Sequence, residues 1–97
     1  MRRSFDIFGL RVPVKFFSDK DNNELLGFCT KNPIEIYINK DYGKEEMNST
    51  LSHELIHAVI FRLGLDQTLS REMQEILAES IGELITTEFT PRKGKKK

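Results

Sequence analysis

Residues 44–63 read KEEMNSTLSHELIHAVIFRL, a run free of proline and glycine, and Gly64 follows where a helix can close on a left-handed residue. Placed at steps of about 100° per residue, Met47, Leu51, Leu55, Ala58, Val59 and Leu63 cover a broad apolar arc. Thr50, His53, Glu54, His57 and Phe61 gather within about 100° of one another on a different side. A helix that is apolar around most of its circumference is a central, buried one. The few ionisable residues it carries are costly unless something pairs with them.

The flanking segments tell how this helix is covered. A second helix is expected from about Ser70 to Thr87, with Thr68 or Ser70 as its N-cap. Met73, Ile76, Leu77, Ile81, Leu84 and Ile85 recur at three- and four-residue steps as its core stripe. Glu72, Glu75, Glu79 and Glu83 form an acidic stripe opposite. The short link Leu65–Leu69 makes the two helices near neighbours in space. Before residue 43 the period is that of strands. Val12, Val14 and Phe16 alternate, with Pro13 suited to an edge or a strand start. Ser18–Asn23 has turn chemistry, and Leu25–Thr30 reads as the returning strand. Ile34, Ile36 and Ile38 face one way and Glu35, Tyr37 and Asn39 the other, the clearest strand in the chain. The expectation is an α+β fold, a small, mostly antiparallel (mixed) sheet packed on two helices, as a single domain over residues 1–90.

Composition narrows the function. The chain has 97 residues, enough for one modest core. No apolar run approaches the roughly 20 residues of a membrane span, and the apolar stretch in MRRSFDIFGL is short and broken by Asp6, unlike a signal peptide. Cys29 is the only cysteine, which excludes an internal disulfide and suits a reducing, cytoplasmic setting, with the thiol read as a half-buried small hydrophobe. The formal net charge of zero hides an asymmetry: residues 1–90 hold 15 acids against 10 bases, while Arg92, Lys93, Lys95, Lys96 and Lys97 make residues 91–97 a basic tail expected to be disordered. An acidic body does not attract nucleic acid, so any such contact falls to the tail.

His53-Glu54-Leu55-Ile56-His57 matches H-E-x-x-H within the central helix. Residues four apart lie one turn apart on one face, so both imidazoles can converge on one tetrahedral ion. Glu54 projects about 100° round from His53, placed to take the proton of a water that the ion acidifies towards a pKa of about 7. Chance produces the pattern in roughly a few per thousand such sequences. The structural alternative, two core histidines beside a buried glutamate, leaves three polar groups without obvious partners on an apolar helix. These are the only two histidines, and Cys29 is in the wrong segment, so a third zinc ligand has to be a carboxylate. Helical geometry does not choose among Glu72, Glu75, Glu79 and Glu83.

The span Ile34–Ile85 resembles the gluzincin class of zinc metallopeptidases, especially the small ImmA/IrrE-type peptidases of bacteria, phages and mobile elements. Ile36-Tyr37-Ile38, Leu51–Ala58 and Glu75-Ile76-Leu77-Ala78-Glu79 carry the likeness. The resemblance implies Zn²⁺ held by His53, His57 and Glu75, with Glu54 as general base. It implies Glu79 as the acid that hydrogen-bonds and orients an imidazole, that of His53. It also implies an oxyanion-steadying residue, for which Tyr37, Tyr42 and Arg71 are available, and a protein or peptide substrate paired along the Ile34–Asn39 strand as the sheet edge. The expected function is zinc-dependent peptide-bond hydrolysis. The alternatives are a non-catalytic, zinc-stabilised binding module, or a nucleic-acid accessory protein that acts through its tail.

Overall fold

The computed structural model describes residues 2–18 and 25–89, with backbone alone for 86–89. The turn at 19–23 and the basic tail at 91–97 lie outside the described residues. The elements are β1 (Ser4–Ile7), β2 (Leu10–Phe17), β3 (Gly27–Thr30), β4 (Glu35–Asn39), α1 (Lys44–Arg62), a 3₁₀ turn (Leu65–Gln67) and α2 (Arg71–Phe89). The four strands form one mixed sheet in the order β1-β2-β4-β3, and with the helices they make an α+β fold. None of the described helices is long and apolar enough to cross a membrane.

β4 is the centre of this sheet. It pairs parallel with β2, Val14 opposite Ile36, and antiparallel with β3, Cys29 opposite Ile36. The expected edge position of the Ile34–Asn39 strand is therefore wrong, and so is the reading of Leu25–Thr30 as a strand returning against β2. Ile36 and Ile38 have no exposed surface. Strands that bury β-branched residues this completely belong in the middle of a sheet, where both flanks are covered. Alternation reports the two faces of a strand and says nothing about its neighbours. Asn39, expected to face outward, is fully buried, with its Nδ2 donating to the Leu25 carbonyl at 2.9 Å and its Oδ1 accepting from the Asp41 N–H at 2.9 Å.

β1 has no counterpart in the strand pattern read above. It folds onto β2 through Phe8-Gly9, both left-handed at φ 51° and 85°, with the Gly9 N–H donating to Asp6 Oδ1 at 2.8 Å. Pro13 is tolerated inside β2 for a geometric reason. The Val14 N–H points to β1, donating to the Arg3 carbonyl at 2.8 Å, so the nitrogen of Pro13 points the other way. On that side pairing with β4 begins only at Val14.

α1 lies between the sheet and α2, as its all-round apolar character requires. Ala58, Leu51, Leu55 and Val59 pack on Val12, Val14, Ile36 and Ile38, while Ile56 and Ile60 pack on Ala78, Leu77 and Ile85 of α2. Gly64, at φ 73°, closes the helix as expected. Arg62 fastens its end to the β1–β2 hairpin, donating from Nε to the Ile7 carbonyl at 3.1 Å and from Nη2 to the Phe8 carbonyl at 2.7 Å. Ser70 caps α2, its Oγ accepting from the Met73 N–H at 3.1 Å.

Only part of the expected apolar stripe of α2 forms its core face: Leu77 and Ile85 pack on α1. Met73, Ile76, Ile81 and Leu84 are all exposed. Between Leu77 and Ile85, α2 approaches α1 most closely through its smallest residues, Ala78 and Gly82, which lie well round the helix from Met73. A Cβ at Gly82 would come within 3.0 Å of the His53 Cα and 3.1 Å of its nitrogen, so the two backbones nearly touch there. Gly82→Val is therefore expected to destabilise the fold by about 1–3 kcal/mol through overpacking. Ser80→Val, on the exposed side, is expected to stay within about 0.5 kcal/mol of the parent. Urea unfolding of both variants checks this pair.

Candidate metal centre

The site sits in the seam where α1 faces α2 on one flank and β3 on the other. His53 and His57, one turn apart, present their Nε2 atoms to the carboxylate of Glu75 on α2. The separations are 3.5 Å from His53 to Oε1 and 3.3 Å from His57 to Oε2. The rings stand 5.1 Å apart and tilted. One ligand atom from each of the three residues lies within 4.8 Å of the others.

These separations are longer than charge-assisted hydrogen bonds and leave room for a small cation. A charge-assisted N–H···O bond contracts to about 2.7–2.9 Å. Ligand atoms about 2.0–2.1 Å from a tetrahedral ion stand roughly 3.3–3.4 Å apart. Two imidazole nitrogens and one carboxylate make a donor set that could hold a divalent metal ion with a coordination position to spare. Burial lowers the pKa of His57 and favours the neutral imidazole that a metal needs, with the Glu75 carboxylate acting the other way. Glu75 is half-exposed, so it can reorient towards an ion at little cost.

Glu54 is buried, with 8% of its surface exposed, and no described residue hydrogen-bonds its carboxylate. Burial, and then the charge of Glu75, push its pKa up to about 7. A cation at the triad reverses this and favours the ionised form. Cys29 is pushed up to about 12 by burial and by Glu54, so it stays a neutral thiol packed against the core, as its small-hydrophobe reading requires.

The triad opens into a cavity of about 550 Å³ whose walls include Phe28 and Cys29 of β3, Phe61 of α1, and Arg71 and Gln74 of α2. Arg71 lies one turn before Glu75 and is the one member of Tyr37, Tyr42 and Arg71 that lines it. Tyr37 is engaged on the other face of the sheet, donating its hydroxyl to Glu35 Oε1 at 2.6 Å and stacking on Phe28 at 4.6 Å. Glu72 is exposed and lines neither cavity beside the triad. The expected hydrogen bond from Glu79 to His53 is absent: Glu79, a turn beyond Glu75, lines a second cavity on the other side of His53. Gly82 and the β3 edge are parts of the site that the sequence did not flag. A lone glycine in a helical run was the available signal for the first.

Comparison of this chain with models of protein families, with curated proteins and with solved structures finds no match.

Glu54 makes the metal-free protein sensitive to pH. Its carboxyl is raised from 4.5 to about 7, so the folded state holds a proton that the unfolded state releases between those values. Stability is lost as pH rises from about 4.5 to about 7. Glu54→Gln removes that loss. In chelator, the stability of Glu54→Gln relative to the parent is expected to grow by on the order of 3 kcal/mol across this interval. Denaturant titrations at a series of pH values read the difference.

Proposed function

We propose that this chain is a zinc-dependent peptidase in which His53, His57 and Glu75 hold the ion and Glu54 acts as general base. The observation that carries the reading is the convergence of the two Nε2 atoms on both oxygens of Glu75 at 3.3–3.5 Å. Zinc, when bound, supplies Lewis acidity, polarising a peptide carbonyl and acidifying water.

The chain's own groups do the rest. Glu54 accepts a proton from the attacking water and holds it for the departing amine, which cannot leave as an anion. Its buried position keeps bulk water from competing for that proton. Arg71, at the wall of the cavity, offers a fixed positive charge to the carbonyl oxygen as negative charge develops there. β3 takes over the role expected of the Ile34–Asn39 strand. It is the outer strand of the sheet and contributes Phe28 and Cys29 to the cavity wall. A substrate peptide in extended form can pair with its free edge and run past Glu54 and the triad.

The parent protein is expected to hold one zinc per chain by elemental analysis. Glu75→Gln should lose more affinity than the roughly 10–100-fold that an outer-shell change costs. Glu54→Gln should keep its zinc while peptide hydrolysis falls by about 10²–10⁴. A parent without stoichiometric zinc, or a Glu54→Gln variant with full activity, overturns the reading. Zinc without any hydrolysis leaves a zinc-stabilised binding module.

Arg71 has its own signature. Arg71→Gln should lower kcat by about 10²–10³ with zinc content unchanged, the size of effect seen when one oxyanion donor is removed. A change confined to KM would assign it to substrate binding instead.

A further inference from the structure

Beyond His53 from the triad lies a second cavity, of about 580 Å³, which shares Gly27, His53 and Glu54 with the first. We propose that it is the subsite for a lysine or arginine side chain of the substrate, next to the bond that is cut. This inference rests on the peptidase reading and adds a substrate class to it.

The cavity's chemistry is divided. Its apolar wall is Leu26, Ala78 and the bare backbone at Gly82. Its acids come from different elements: Glu46 from the first turn of α1, and Glu79 and Glu83 from α2. An acidic stripe on one helix is solvated on its own. Here carboxylates on two helices line one concavity, whose low-dielectric walls focus their potential inward. Glu54, 8% exposed, lies on the wall common to both cavities, and no described residue hydrogen-bonds its carboxylate, which opens to them. With no protein donor beside it, this carboxylate favours an occupant of the cavity that brings one. Among the described residues that line the cavity, none is a lysine or arginine.

A long basic side chain matches each part. Its methylene stem covers the apolar wall and its charged head reaches the carboxylates. A substrate held on the β3 edge passes Gly27, which belongs to both cavities and so brings the substrate within reach of this one. An acidic side chain in the same place meets only like charge.

Two measurements test the subsite. In the first, the zinc-loaded full chain digests a mixed peptide pool, and mass spectrometry reads the cuts. Lysine or arginine should be enriched by about tenfold or more at one fixed position beside the cut bond. Glu83→Lys, at an exposed position, should erase that preference. Cuts with no basic residue enriched at any neighbouring position overturn the subsite and leave the peptidase reading intact.

The second measurement needs no catalysis. With chelator present, N-acetyl-lysine amide and N-acetyl-arginine amide should shift the amide signals of Ser49 and Gly82, and rising salt should weaken the effect. N-acetyl-norleucine amide, which is uncharged, should not. Equal or absent shifts from all three compounds overturn the subsite whether or not the protein cuts peptides.

Discussion

The site depends on a single close approach of two helices. At Gly82 the backbone of α2 comes near enough to His53 that a methyl group there would meet its Cα at 3.0 Å. Helix axes usually stand about 8–10 Å apart, set by the side chains between them. With only hydrogen at 82 and a methyl at Ala78, α2 can settle deep against α1. That depth brings a short carboxylate arm, Glu75, to both imidazole nitrogens. It also explains why the larger apolar residues of α2 point away: Met73, Ile76 and Leu84 lie far round the helix from Gly82 and stay exposed. The packed face is centred on small residues, with Leu77 and Ile85 on either side of them.

The sheet contributes the other half of the groove. Because β4 is inserted between β2 and β3, the short strand β3 ends on the outside, beside α1 and the paired histidines. A buried central strand could not receive a peptide, since its hydrogen bonds are already taken on both flanks. Among the described residues β3 pairs only with β4, and it is this strand that reaches both cavities. Between that edge and α2 the groove is strongly acidic. Among the described residues its one arginine is Arg71, at the end nearer the start of α2, where it lines the cavity of the triad.

How much could be read beforehand follows from the range of each interaction. The pairing of His53 with His57 was legible, because four-residue spacing in a helix fixes a shared face without outside help. The boundaries of α1, its central position and the Ser70 cap were legible for the same local reason. The third member of the triad was legible only as a group of four acids, and resemblance, not geometry, singled out Glu75. The neighbours of Glu79, which makes no hydrogen bond to His53 here, depend on how far α2 slides along α1. β1 escaped because its turn uses Phe8 in a left-handed conformation, which sequence rules reserve for glycine, asparagine or aspartate.

From its residues alone the chain determined an α+β composition, a buried amphiphile-poor helix at its centre and two imidazoles on one face of it. All of these follow from dihedral periodicities that act within a few residues. Tertiary structure decided the strand order, the edge that lies open, the acid that joins the histidines and the company Glu79 keeps. Those outcomes depend on competition between whole surfaces for burial. Period and spacing say which face of an element is apolar, but only packing decides which neighbour covers it.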